Sequence, residues 1–319
     1  MKKKIVLSAL ALSLAGVALV GCGTPSLSLT ANWYRDTSIS TAISGTSEQL
    51  VYSVSYKEGA GNGHYSVSYE TGTYTVSLIN TFYEWKDGSG AKEEVYRLTA
   101  KLDISGKYTM NGTEVPFTDS VLSVCYLRTI PGGLAPVYSE KKVHSTSPSS
   151  LSPSSPENMC TVFDYETSVS YARDGSVATV KKTDLTTSKT EETEVKLPAR
   201  LFDNEELLFL GRAINFTSSL RVSCLNANSA KVEPVLFSAV SAQESDFTFN
   251  GTKHEKVSCT TVGLSLDSEF SGASQVLTYA NRVEGANTYR NVLLSMEVPL
   301  SYRLGSLVYT LESATFTDK

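Results

Sequence analysis

Histidine is scarce in this chain, and its scarcity removes most metal and nucleophilic chemistry. The 319 residues include three histidines, His64, His144 and His254, and no two have the spacing that sets two metal ligands on one helix face. A GxSxG elbow, a phosphate-binding P-loop and a dinucleotide-binding GxGxxG are also missing. We therefore expect no enzyme activity, no catalytic residue, no metal site and no cofactor.

Basic side chains are outnumbered by acidic ones. There are 28 lysines and arginines against 33 aspartates and glutamates, which gives a net charge of −5. Proteins that bind nucleic acid use basic patches to displace counterions from the phosphates, so no nucleic acid partner is expected. The same balance argues against electrostatic attraction to an anionic lipid surface.

The chain has one long apolar run, residues 5–20, and no second run of membrane-spanning length. Three lysines at residues 2–4 precede this run, and Gly21 and Cys22 follow it, which is the pattern of a secretory signal. The run falls short of the roughly 20 apolar residues of a membrane helix, and no charged residue follows it at once. We expect a cleaved signal peptide over residues 1–21.

The four residues Leu19-Val20-Gly21-Cys22 resemble the lipobox of bacterial lipoproteins. The resemblance implies that the Cys22 sulfur takes a diacylglyceryl group with palmitate-like chains. The mature protein would then be anchored to a bacterial membrane, outside the cytoplasm. Each buried methylene contributes about 0.8 kcal/mol, so two or more chains form a stable anchor. The alternative is an ordinary signal that happens to end at a cysteine.

The mature chain is expected to begin with a polar tether, residues 22–30. Removal of residues 1–21 takes away three lysines and no acid, so 25 basic and 33 acidic side chains remain and the net charge becomes −8. With this charge, the anchor must be the lipid on Cys22 itself. Residues 31–319 are predicted to form a single β body, with a Ser/Pro-rich surface loop at residues 145–158.

Alternation of apolar and hydroxyl side chains predicts an antiparallel β protein. Tyr52, Val54 and Tyr56 alternate with serines, and the same pattern returns at residues 65–69 and 74–78. A tight hairpin at residues 70–72 is predicted to join the second and third of these runs. Later strands are predicted at residues 94–102, 121–127, 161–171, 177–182, 220–224, 257–266, 292–302 and 307–316.

Two Asn-Gly pairs, at residues 111–112 and 250–251, predict hairpin turns because Asn-Gly favours the positive φ angles that match strand twist. The four cysteines besides Cys22 leave two alternatives open. An even number in an exported protein permits two disulfides with three possible pairings. Their strand-like surroundings also suit buried free thiols. The cysteines are Cys125, Cys160, Cys224 and Cys259.

Residues 201–216 break the β pattern and predict one buried helix around 203–214. Asp203 is a suitable N-cap, and Glu205 and Glu206 fall in the first turn, where negative charge complements the helix dipole. The remaining surface is nearly all apolar, so the helix packs on more than one side. It is either a core helix in the concavity of a curved sheet or also one wall of a lipid-sized cavity. Because adjacent glutamates point apart, Glu205 and Glu206 are expected on a solvated face.

The lipobox, the long antiparallel meander, the apolar helix ending in Arg212 and the final strand resemble the half-barrel lipoproteins related to bacterial envelope lipoprotein carriers. That resemblance implies a curved antiparallel sheet (a half-barrel) around the helix, with an acyl lipid or a lipoprotein bound between them. The chain would be a non-catalytic, membrane-anchored binding protein. The residues expected to line the ligand site are Leu207, Leu208, Phe209, Leu210, Leu294 and Met296.

The competing hypothesis is a structural or interaction lipoprotein whose sheet is filled by its own side chains. Its partner would be a protein or a glycan, because aromatic side chains on a sheet face can stack on sugars. The same tyrosines also suit cross-strand core packing. A carrier would hold an apolar cavity of several hundred Å³ under the helix, typical of ligand pockets, whereas a scaffold would be close-packed there.

Overall fold

The computed structural model describes residues 47–59, 65–130, 133–148, 162–213, 219–249, 251–266, 275–281, 292–300 and 304–317. The predictions for residues 1–46, and those for His64 and Cys160, lie outside the described residues. The strands, in chain order, are β1 (Ser47–Glu58), β2 (Tyr65–Tyr69), β3 (Gly72–Glu84), β4 (Lys92–Met110), β5 (Thr113–Ile130), β6 (Gly133–Ser145), β7 (Phe163–Tyr171), β8 (Val177–Asp184), β9 (Lys189–Lys196), β10 (Phe202–Asp203), β11 (Leu220–Asn226), β12 (Lys231–Phe249), β13 (Thr252–Leu266), β14 (Gln275–Ala280), β15 (Leu293–Pro299) and β16 (Gly305–Thr317).

The strands form one large, curved, unclosed sheet, which confirms the predicted mainly β fold. Its order is β10-β11-β12-β13-β14-β15-β16-β1-β3-β4-β5-β6-β7-β8-β9, with β2 paired to β4. The described pairs are antiparallel except for the short parallel pair β10–β11. The only helical structure in the described residues is a helical segment, residues 204–213. It comprises a 3₁₀ turn (Asn204–Glu206), helix α1 (Leu207–Leu210) and a second 3₁₀ turn (Gly211–Ala213).

The first and last described strands pair with each other in the middle of the sheet. β1 runs antiparallel to β16 from the pair Ser47 and Thr317 to the pair Glu58 and Gly305. On its other side β1 pairs with β3. Two meanders, one from each half of the chain, are therefore joined side by side through β1.

The hairpin predicted at residues 70–72 is wrong. β2 and β3 follow one another along the same neighbour, β4, which is long enough at 19 residues to pair with both. Between them Glu70 donates its backbone N–H to the Ser105 carbonyl at 2.8 Å. The chain therefore keeps its direction along β4 from β2 to β3, with a short interruption of the strand, and does not turn back as a hairpin would. Gly106 lies at this break, where an added Cβ would be 2.4 Å from the Ser68 carbonyl oxygen.

Both Asn-Gly pairs lie between paired strands, as predicted. Met110 pairs with Thr113 across the first, where Asn111 and Gly112 have φ angles of 51° and 80°. Phe249 pairs with Thr252 across the second, where Gly251 has φ 71°. Positive φ at a two-residue connection gives the turn that follows the twist of the strands.

Strand β6 enters the segment predicted as a loop, because it continues through Ser145. Ser145 pairs with Phe163 at the start of β7, so the strands on either side of residues 149–161 are direct neighbours in one sheet. Five strands were not among the predicted runs: β6, β9, β10, β12 and β14. Of β12, only the end beside the second Asn-Gly pair was indicated by the sequence.

The concave side of the sheet holds the core. Register pairing aligns the inward side chains of successive strands in rows. One row contains Leu50, Val76, Ala100, Ser123 and Lys141. The next contains Tyr52, Tyr74, Leu102, Val121 and Val143. Tyr52 and Tyr74 are buried in this core, so these two tyrosines serve cross-strand packing.

Candidate functional site: a cleft between the sheet and the helical segment

The helical segment is capped inside the sheet as its sequence predicts. Asp203 is the N-cap: its side chain accepts the backbone N–H of Glu205, while Glu206 Oε1 accepts the Asp203 N–H at 2.8 Å. This reciprocal capping box satisfies donors that would otherwise be left unpaired at a helix start.

The expectation that Glu205 and Glu206 lie on a solvated face is wrong. Glu206 is 2% exposed because it is part of the capping box. Glu205 Oε1 accepts a hydrogen bond from Lys141 Nζ at 3.1 Å, and only 14% of the Glu205 side chain is exposed. Burial by itself would lower the pKa of Lys141, but the neighbouring acidic groups, chiefly the facing Glu205 carboxylate, together outweigh it and the pKa is raised. Lys141 therefore stays charged, and its ion pair ties the segment to β6.

At its other end the segment is held to the centre of the sheet. Both terminal nitrogens of Arg212 donate to the Glu48 carboxylate on β1, and Nη2 lies 3.1 Å from Oε2. Tyr279 on β14 donates its hydroxyl to the Leu208 carbonyl at 3.0 Å. A Cβ on Gly211 would come within 2.1 Å of that same hydroxyl oxygen, so only glycine fits there.

Asp203 is a buried titratable group under the segment. Its Oδ2 accepts hydrogen bonds from Ser139 at 2.6 Å and Tyr171 at 2.5 Å. Burial, and then the charge of Glu205, raise the pKa of Asp203 from 3.8 to about 6, against the effect of these hydrogen bonds. Burial also raises the pKa of Glu206 well above its usual value.

This raised pKa predicts that the protein becomes more stable on mild acidification. Between its unfolded pKa near 3.8 and its folded pKa near 6, Asp203 binds a proton mainly in the folded state. The stabilisation is fully present below the lower pKa and is lost as pH rises through the higher one. We expect a free energy of unfolding higher at about pH 5 than at about pH 8, by about 1.4 kcal/mol, which is roughly half of the full effect reached below pH 3.8. Urea titrations at the two pH values measure it.

The control is Asp203→Asn, which keeps an N-capping side chain but cannot titrate. Its gain on acidification should be smaller than that of the parent chain, with Glu206 supplying the remainder. If the parent chain instead lost stability between pH 8 and pH 5, Asp203 would be ionised in the folded state and held by its three hydrogen-bond donors.

A partly open cleft of about 90 Å³ lies between the helical segment and the sheet. Four of the six residues predicted to line a ligand site do line it: Leu207, Leu208, Phe209 and Met296. Leu210 and Leu294 are buried in the same core but are not among the lining residues.

A β-bulge explains why Leu293, and not Leu294, faces the cleft. Met296 pairs with Leu277, but Tyr279 pairs with Leu293, so Leu294 is the extra residue in β15. A bulge changes which side chains point to a given face, so strict alternation from Met296 back to Leu294 fails.

Polar side chains that were not predicted from the sequence also line the cleft. They lie at the end of the cleft formed by β5, β6 and the start of the helical segment: Ser123, Lys141, Asn204 and Glu205. Tyr74, Arg212 and Gln275 line it as well. Since these residues are far apart in the chain, only strand register could have indicated their proximity.

The remaining candidate groups do not form a site in the part of the chain that is described. Cys125, Cys224 and Cys259 are buried free thiols. No group of three histidine, cysteine or acidic side chains that could hold a metal occurs among the described residues. Within these same ranges, no helix has the length and hydropathy needed to cross a membrane.

An aromatic cluster on the outer face of the sheet was a possible sugar-stacking surface. It consists of Tyr83, Trp85, Tyr126 and Tyr138, with ring centroids of neighbours 5.3–6.2 Å apart. Cations lie over two of these rings: Lys86 Nζ is 4.5 Å from the Tyr138 centroid, and two arginine guanidinium groups are each 5.7 Å from the Trp85 ring. Tyr83 and Trp85 are only 9% and 5% exposed, so these two rings offer little surface to a sugar, whereas Tyr126 and Tyr138 are partly exposed.

Comparison with known proteins assigns neither a family nor a function to this cleft. No family model, no curated protein and no solved structure matches the chain.

Proposed function

We propose that this protein is a lipid-anchored, extracytoplasmic lipoprotein of a bacterial envelope, without catalytic activity, that binds an apolar ligand such as an acyl lipid or another lipoprotein. The observation that carries the proposal is the cleft under the helical segment, with Leu207, Leu208 and Phe209 facing apolar strand positions across it. Ligand sites in proteins are typically apolar clefts with a few well-placed polar groups.

The membrane attachment in this proposal rests on the lipobox that ends at Cys22 and on its resemblance to lipoprotein signals. The resemblance of the body to half-barrel lipoprotein carriers supports a ligand between sheet and helix. The lipobox and the resemblance of the body are both properties of the sequence.

The volume of the cleft limits what can occupy it. About 90 Å³ is room for several waters but lies well below the roughly 300–1,000 Å³ of pockets that enclose a drug-sized ligand. We therefore propose that the cleft holds only part of a lipid, a group of about that size, and that the rest of the ligand lies outside it.

The second candidate is a structural or interaction lipoprotein whose core is filled by its own side chains. Two observations favour it: the small volume, and the two buried ion pairs that fix both ends of the helical segment, Lys141–Glu205 and Arg212–Glu48. A helical segment that is held at both ends in this way is suited to fill the concave side of the sheet permanently.

Leu208→Glu tests the two candidates against each other. A carboxylate among the apolar walls carries a large desolvation cost, so we expect ligand occupancy to fall by more than about tenfold. The measurement is native mass spectrometry with lipid extraction, on the full chain carrying Cys22→Ser so that no attached lipid interferes.

The matched control is Leu122→Glu, because Leu122 is 41% exposed and does not line the cleft. It should retain the co-purified lipid. A parent chain with a clean protein mass that added lipids do not change would contradict binding and leave the structural candidate.

A further inference from the structure

We infer that the cleft selects lipids with an uncharged, hydroxyl-bearing head group, such as an acylglycerol, over fatty acids and phospholipids. This inference rests on the proposed function and adds the chemical class of the ligand.

The sheet wall of the cleft changes from apolar at β1 to polar at β6, while Arg212 and Gln275 add polar atoms elsewhere in its lining. One row of inward side chains crosses it from Leu50 and Val76 through Ala100 to Ser123 and Lys141. The row thus changes from aliphatic to hydrogen-bonding as it passes from β1 to β6. A ligand with an aliphatic part and a polar head matches this gradient in one orientation.

The polar end offers hydrogen bonds that the protein does not use itself. The Tyr74 side chain is 6% exposed and lines the cleft, and no hydrogen bond joins its hydroxyl to another described residue. Ser123 on β5 presents a second hydroxyl to the cleft. A hydroxyl can donate and accept, so these groups pair with alcohol or ester oxygens of a head group.

Among the described residues, the cations that line the cleft already have carboxylate partners. Lys141 faces Glu205, and Arg212 faces Glu48, so each cation has its own carboxylate. Asp203 and Glu206, both buried next to the segment, add no positive charge. A carboxylate or phosphate from a ligand would therefore bring an unpaired negative charge into a poorly solvated site, which is costly. An uncharged head group avoids that cost.

Two probes with the same ten-carbon acyl chain but different head groups test the inference: 1-monodecanoylglycerol, which is uncharged and bears hydroxyls, and decanoate, which ends in a carboxylate. Each is titrated into the full chain carrying Cys22→Ser by isothermal calorimetry, at about pH 8 where decanoate is ionised. We expect the monoglyceride to bind at least about tenfold more tightly, because a buried unpaired charge costs more than 1.4 kcal/mol.

Tyr74→Phe is the diagnostic variant, since it removes a single hydroxyl that the fold does not use. It should weaken monoglyceride binding about three- to tenfold, which corresponds to one hydrogen bond. Ser123→Ala removes the second hydroxyl and should act in the same direction. The matched control is Tyr309→Phe, because Tyr309 is fully buried against Tyr74, its hydroxyl has no partner among the described residues, and it does not line the cleft.

The outcomes distinguish a failure of head-group selection from a failure of lipid binding itself. If decanoate binds as tightly as the monoglyceride, or if Tyr74→Phe and Tyr309→Phe behave alike, head-group selection is overturned while apolar binding stands. If neither probe binds the parent chain, the proposed function fails together with the inference.

Discussion

Replacing Arg212 by leucine is expected to lower the free energy of unfolding by about 3–5 kcal/mol, the usual result of removing one partner of a buried ion pair. The side chains of Arg212 and Glu48 are 3% and 4% exposed, and both carboxylate oxygens of Glu48 accept from the guanidinium. Without Arg212, the Glu48 carboxylate would remain in the core without its cation. Urea denaturation of the parent and the variant measures the loss.

The double variant Arg212→Leu/Glu48→Leu is the matched control. Replacing a buried pair with apolar side chains is often neutral or stabilising, so most of the lost stability should return. As a second reference, Lys189→Leu breaks an exposed pair with Glu191 and should cost less than about 1 kcal/mol. A loss that small for Arg212→Leu as well would mean that water screens the Arg212–Glu48 pair.

Cys22→Ser is expected to abolish lipid attachment completely, because a serine hydroxyl replaces the only sulfur in the lipobox. In a bacterial host fed labelled palmitate, the parent chain should carry the label and the variant none. A lipoprotein signal would be removed only after lipid attachment, so the variant should also keep residues 1–21, which intact mass spectrometry would show. Two long acyl chains contribute on the order of 20 kcal/mol to membrane binding, so the effect is all or none.

Cys160→Ser serves as the control for Cys22→Ser, since Cys160 lies outside the lipobox; it should retain the label. Label that persists in Cys22→Ser would place the lipid elsewhere. An unlabelled parent chain that has nonetheless lost its first residues would mean an ordinary signal with a cysteine at the cut.

Much of the local structure could be predicted because it depends on neighbours in the chain. The alternation in β1, the Asn-Gly turns and the Asp203 N-cap are set by side-chain direction, positive φ and the unpaired donors of a helix start. Strand β9 could not be predicted from its own residues. It is an edge strand, nearly all exposed and charged, that is held by backbone pairing with β8.

The candidate site was predicted in part, and the lining residues that were not predicted show where local sequence patterns fail. Leu207, Leu208 and Phe209 were found because an apolar run after an N-cap indicates a buried helix. Leu293 was missed because the bulge in β15 interrupts alternation. Lys141 was missed because no strand was predicted at residues 133–145, and because a lysine in a strand usually faces solvent, whereas here it points inward to Glu205.

The sequence by itself determined the class of the protein: a mainly β body, its hairpin turns and the capped apolar segment, all features whose causes act within a few residues. Only the tertiary structure decided which strands are neighbours, that β2 continues into β3, and that Ser123, Lys141 and Tyr74 meet under the helical segment. The physical reason is that strand register is a long-range property. It is set by how the whole sheet buries its apolar face, and not by any one strand.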